Sequence, residues 1–137
     1  MFDKIVLAVD GSEGAKKAIP VVVDLATKSH GEMLVVYVDE MTAWRDTALS
    51  EKGLPEAREV ADAVVDELSQ AGVNARAKLC RSGTAGVAKE ILECADDFGA
   101  DCIVMGSRGR GDLAGLLLGS VTHKVVQLAH CPVIVVR

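Results

Sequence analysis

The sequence predicts a doubly wound α/β fold, a single five-stranded parallel sheet with helices on both faces. Three observations predict it. Five short aliphatic runs alternate with stretches of helical periodicity, so each strand must reach the next by a right-handed crossover. Half of the 137 residues are hydrophobic, with only one Trp, one Tyr and two Phe, which gives an aliphatic core suited to strands buried on both faces. No internal repeat or linker divides the chain. Its length fits one domain over residues 1–137, able to bury about two-thirds of its unfolded surface.

Ile5 to Val9 reads as the first strand. Ser12 then caps a helix to about His30, with Ala15, Ala18, Ile19, Val22 and Ala26 on one face. Pro20 inside it removes a backbone hydrogen bond and predicts a kink. Met33 to Val38 is the second strand, and the polar stretch from Glu40 to Gly53, with Trp44, is a loop. A helix from Pro55 to Ala71 turns Val60, Val64, Leu68 and Ala71 inward and stops at Gly72. Val73 to Cys80 is a weaker third strand. Thr84 caps a helix with Val87, Ile91, Ala95 and Phe98 inward, ended by Gly99. Asp101 to Met105 is a buried fourth strand. Ser120 caps a last helix to His130, with Val121, Val125, Leu128 and Ala129 inward; Pro132 ends it and Val133 to Val136 closes the chain.

A formal net charge of −5 argues against nucleic acid as a partner, because polyanions recruit basic surfaces. Acidic residues such as Glu56, Glu59, Asp62, Asp66 and Glu67 read as a solvated helix face. Cys80, Cys94, Cys102 and Cys131 form no Cys-x-x-Cys pair and have no closely spaced histidine, so neither a zinc site nor a thioredoxin-like motif is indicated. They read as small buried hydrophobes in a reducing cytosol, which places the protein in the cytoplasm. The Ile5 to Val9 run is too short for a signal peptide, and no run approaches the ~18 residues of a membrane span.

The most informative stretch follows the fourth strand: Gly106-Ser107-Arg108-Gly109, nine residues, then Gly119-Ser120. A strand, a glycine-spaced loop and a helix start let backbone N–H groups surround a phosphate chain. Glycine suits those positions because a side chain would hold the backbone away from an anion or forbid positive φ. Ser120 can cap the helix and donate its hydroxyl to a phosphate oxygen. In the plainer reading Gly106 and Gly109 merely turn the chain. Two other phosphate motifs fail: Gly106 and Gly111 have P-loop spacing but Asp112 follows, and Asp10-Gly11-Ser12-Glu13-Gly14 lacks the dinucleotide glycine pattern.

This glycine signature resembles the ATP-binding signature of the universal stress protein family, and the chain is similar to that family nearly end to end. Lys4 to Ser12 is similar to its first strand and acidic turn, Val36-Tyr37-Val38-Asp39 to the end of its second strand, and Cys131 to Val136 to its closing strand. The resemblance implies a Rossmann-like domain that binds ATP with Mg2+ or Mn2+. The implied contacts are Ala8, Val9, Asp10, Val38, Gly83, Met105, Gly106, Arg108, Gly109, Gly119, Ser120 and Val121. It further implies a homodimer that pairs Val133 to Val136 with its copy.

The switch-point rule independently gathers Asp10 and Gly11, Val38 and Asp39, Gly83 and the glycine signature beyond the carboxyl ends of the strands. Asp10 has two readings, as a turn residue or, by resemblance, as a contact to adenosine or to a phosphate-bound metal. Arg108 and Arg110 either neutralise phosphate or stay in solvent. Val38 offers its main chain to the adenine edge. His123 and His130 share a helix face without a nucleophile, so no catalytic residue is assigned. The resulting expectation is a nucleotide-dependent regulator in stress response, acting on a protein partner that the sequence does not identify, with at most slow hydrolysis. A nucleotide-independent interaction module and a true ATP-hydrolysing enzyme are the alternatives.

Overall fold

The computed structural model describes residues 1–40, 53–82, 86–109 and 117–137. The Glu40 to Gly53 loop with Trp44 therefore falls almost wholly outside the described residues, as do Gly83, Thr84 and Arg110. In chain order the elements are β1 (Lys4–Val9), α1 (Glu13–Ser29), β2 (Glu32–Glu40), α2 (Gly53–Gln70), β3 (Asn74–Ser82), α3 (Val87–Phe98), β4 (Cys102–Gly106), α4 (Ser120–Leu128) and β5 (Val133–Val136). They build the predicted parallel sheet in the order β3-β2-β1-β4-β5.

Strand alternation divides the aliphatic residues between two cores. Ile5, Leu7 and Val9 of β1 join Met33, Val35 and Tyr37 of β2 beneath α1 and α2. Val6, Ala8, Leu34, Val36 and Val38 point the other way, beneath α3 and α4. Because both faces are covered, β1 and β4 read in sequence as unbroken apolar runs.

Helix α1 buries the five residues that its periodicity predicts, and the Ser12 hydroxyl accepts from the Ala15 N–H at 3.2 Å. The helix continues through Pro20, which lies on its exposed side. Helix α2 starts two residues ahead of Pro55. Its buried stripe is Ala57, Ala61, Val64 and Leu68; Val60 is half-buried and Ala71, expected inward, is exposed. Small residues at 57 and 61 let the helix lie close on the sheet, while Ala71 falls past the helix end in the turn that Gly72 closes. The acidic residues of α2 are exposed, as predicted.

The two capping expectations at α3 and α4 need correction. Gly86, not Thr84, precedes the first residue of α3 and makes no side-chain cap. At α4 the cap is Gly119, so Ser120 is the first helical residue. Helix α4 stops at Leu128, short of His130, and its buried face centres on Thr122 and Val125. That centring leaves Leu128, expected inward, 57% exposed at the margin of the stripe. Strand β5 forms one edge of the sheet with all four residues half-buried. Among the described residues no helix is long and apolar enough to cross a membrane.

Candidate functional site

Strand order reverses between β1 and β4, so the chain leaves their carboxyl ends toward opposite faces and opens a crevice there. The crevice is a cleft of about 360 Å³, within the range of small-molecule sites. Ala8, Val9 and Asp10 reach it from β1, Val38 from β2, Met105, Gly106, Arg108 and Gly109 from β4 and the turn beyond, and Gly119, Ser120 and Val121 from the start of α4. Of the residues singled out from sequence for the ligand site, Gly83 and Arg110 lie outside the described residues.

The cleft also has walls that sequence reasoning did not assign to it. Ser12 and Ala15 come from the first turn of α1, Val36 and Tyr37 from β2, Val87 and Ile91 from α3, and Thr122 from α4, while Asp39, which the switch-point rule gathers, also lines it. Val36 shares a strand face with Val38, a period-two signal that pointed to it. Val87 and Ile91 have the apolar spacing of a core face, which conceals their second use.

Two hydrogen bonds bring the start of α4 to the end of β4, and a third ties that end to β5. The Ser107 N–H donates to the Val136 carbonyl at 2.8 Å, and the Gly119 N–H donates to the Ser107 carbonyl at 2.7 Å. The Thr122 hydroxyl, buried, donates to the Gly106 carbonyl at 2.9 Å. The Gly119 N–H is thus engaged within the protein. The donors that α4 presents are the N–H groups of Ser120, Val121 and Thr122, which have no intrahelical acceptor and carry the positive end of the helix dipole. All three residues line the cleft. Replacing Thr122 with valine keeps the volume but removes the donor, and is expected to cost about 1–2 kcal/mol in urea denaturation.

Gly106 has a different reason for being glycine from the one sequence suggests. A Cβ there would lie 2.6 Å from the Gly14 carbonyl carbon, 2.7 Å from its oxygen and 3.0 Å from the Ala15 nitrogen. Its missing side chain therefore makes room for the first turn of α1 rather than for a ligand. Gly14 reciprocates, since a Cβ there would lie 2.6 Å from the Arg108 carbonyl oxygen.

Asp10 is half-buried at the cleft and does turn work: its Oδ1 accepts from the Ser12 N–H at 2.8 Å, while Gly11 takes φ 79°. Arg108 is an exposed cation on the cleft. His123 and His130 are exposed and away from it, His130 Nδ1 lying 3.6 Å from Asp96 Oδ1. Among the described residues no group of three or more His, Cys, Asp or Glu side chains could hold a metal ion. Among the described residues the cleft can therefore offer an anion helix-terminal amides and the Arg108 guanidinium, set beside an apolar wall.

The model of the universal stress protein family matches residues 1–137. The chain is 34% identical over 150 aligned positions to the universal stress protein YxiE of Bacillus subtilis, with both chains fully covered. The solved structure of MJ0577, a universal stress protein of Methanocaldococcus jannaschii, superposes with a TM-score of 0.87 at 30% identity, covering 99% of this chain and 96% of that one. The fold is shared by an Archaeoglobus fulgidus universal stress protein solved in complex with dAMP, at TM-score 0.76 and 22% identity, covering 100% of this chain and 98% of that one.

Proposed function

The chain belongs to the universal stress protein family, and on that premise we propose that its cleft binds ATP and that occupancy biases its surface or assembly toward a protein partner in stress response. The observation that carries this reading is the meeting of the first turn of α4 with the carboxyl ends of β1 and β4, fixed by the Gly119–Ser107 and Thr122–Gly106 hydrogen bonds. Unpaired helix amides at a sheet switch point suit a polyphosphate. The dAMP complex of the Archaeoglobus protein adds an adenine nucleotide on the same fold.

In this reading Ser120 and Val121 bind phosphate oxygens through their N–H groups, with Gly109 at the lip and Arg108 neutralising charge. Ala8, Val9 and Met105 line the floor, Val38 meets the adenine edge through its main chain, and Asp10 faces the adenosine part. An Mg2+ or Mn2+ ion would ride on the phosphate oxygens, with Asp10 and Asp39 the carboxylates that line the cleft among the described residues. Among the described residues neither His123 nor His130 lines the cleft, and Asp10 already accepts a backbone hydrogen bond, so in this reading turnover is slow at most. The edge strand β5, aliphatic and half-buried, pairs with its copy in a homodimer, which removes an exposed pairing template. The compartment in this reading is the cytoplasm.

The test is to denature the purified protein, chromatograph the supernatant for adenine nucleotides, and titrate nucleotide-free protein with Mg·ATP by calorimetry. Released ATP and saturable binding are expected. An empty supernatant with no saturable heat overturns the reading, and released ADP with steady turnover moves it to the hydrolase alternative.

A further inference from the structure

Parallel register and helix packing bring together two cysteines that lie fourteen residues apart. On β3, Arg76, Lys78 and Cys80 occupy alternate positions on the face toward α3, and the Arg76 guanidinium sits over the Phe98 ring at 5.3 Å. Helix α3 runs back along that strand, so the turn above Phe98 brings Cys94 against Cys80. Their Sγ atoms are 3.0 Å apart. Cys80 is half-buried and Cys94 is buried in the core beneath α3 and α4.

From this geometry we propose that Cys80 and Cys94 form a reversible dithiol/disulfide site, oxidised by hydrogen peroxide, that fastens α3 to β3 beside the cleft. The sulfurs need to approach by only about 1 Å to bond. The Cys80 thiolate, reached from solvent, attacks a peroxide oxygen and becomes a sulfenic acid as hydroxide leaves and is protonated to water. The Cys94 sulfur then attacks the Cys80 sulfur; the S–S bond forms, the S–O bond breaks, and the oxygen leaves with the Cys94 proton as a second water. Two thiols lose two electrons and one peroxide gains them.

The environment fixes the order of the two steps. Burial, then the hydrogen bond with Cys80, pushes the Cys94 thiol up to about 12, with Lys78 opposing both. Cys94 is therefore a poor first nucleophile and is suited to resolve a sulfenic acid already in contact with it. Between the two cysteines lies the first half of α3, whose Val87 and Ile91 line the cleft, so the bond closes a ring around part of one cleft wall.

The experiment treats the reduced full-length chain with a modest excess of hydrogen peroxide, blocks remaining thiols with iodoacetamide under denaturing conditions, and measures intact mass and non-reducing tryptic peptides. Expected is a monomeric chain lighter by two hydrogens before alkylation, with two of its four thiols lost to alkylation. The Leu79-Cys80-Arg81 peptide should be joined to the peptide carrying Cys94, and dithiothreitol should restore all four thiols. That second peptide also carries Cys102, so Cys102→Ser must retain the cross-link while Cys80→Ser must abolish it. Cys80→Ser alters a half-exposed position, and its unchanged circular dichroism spectrum is the check on folding. Four alkylatable thiols after peroxide, a sulfinic acid at Cys80 with Cys94 still alkylatable, or a bond joining two copies would each overturn the proposal. None of these readouts depends on whether the cleft holds a nucleotide.

Discussion

Gly106→Val is expected to destabilise the protein by at least about 3 kcal/mol, lowering both the urea midpoint and the thermal midpoint. The reason lies in what the new Cβ would meet. All three neighbours, the Gly14 carbon and oxygen and the Ala15 nitrogen, are backbone atoms of the first turn of α1, and the nearest is 2.6 Å away. No rotamer change relieves a clash between main chains, so β4 or α1 must move. Both are anchored, β4 between β1 and β5 and α1 by Ala15, Ala18, Ile19, Val22 and Ala26. Gly72→Ala supplies the contrast. That glycine has φ +83° but nothing within 4 Å of its would-be Cβ, so only left-handed strain applies and about 1 kcal/mol is expected. Equal losses in the two variants would mean that close approach at Gly106 is not what selects glycine. Because Asp10, Ser12 and Ala15 border the cleft beside Gly106, ligand binding should fail in Gly106→Val along with stability.

That example shows what the sequence could and could not convey. Strand existence and the face of α1 were legible because burial on two sides leaves unbroken aliphatic runs and a one-sided helix leaves a 3.6-residue period. The stripe of α2 was misread because its inward positions at 57 and 61 are alanines, which tolerate either side of a helix. The cap of α4 was displaced by one residue. Gly119 and Ser120 can both serve there, and the deciding contact, the Gly119 N–H on the Ser107 carbonyl, spans a loop. The cluster at the switch point was legible from strand ends alone, since topology rather than spacing gathers Asp10, Val38 and the glycine signature. The role of Gly106 was not, because glycine looks the same whether it makes room for an anion or for a helix. Nor was the Cys80–Cys94 contact, which depends on the register of β3 against α3 and on no local motif.

Ser120→Asp is expected to raise stability slightly and to lower ATP affinity by about 100-fold, two effects of opposite sign from one carboxylate. Ser120 is the first residue of α4, exposed and on the cleft. A negative charge in a first helical turn interacts favourably with the dipole by about 0.5 kcal/mol, so the apo protein should melt marginally higher. The proposed polyphosphate would occupy the same end of the same helix. Two unit charges about 4 Å apart repel by about 4 kcal/mol at an effective dielectric constant near 20. Solvent at this exposed position reduces that to between about 2 and 3 kcal/mol, which is the 100-fold loss. Calorimetric titration with Mg·ATP at low and at high ionic strength measures it, and added salt should recover part of the affinity because the repulsion is screened. Ser120→Asn, uncharged and of the same shape, separates charge from bulk and should bind within a few-fold of the native protein. If the aspartate variant gains stability yet binds ATP as tightly as before, the phosphates do not sit at α4, and the assignment of the cleft as a polyphosphate site falls with them.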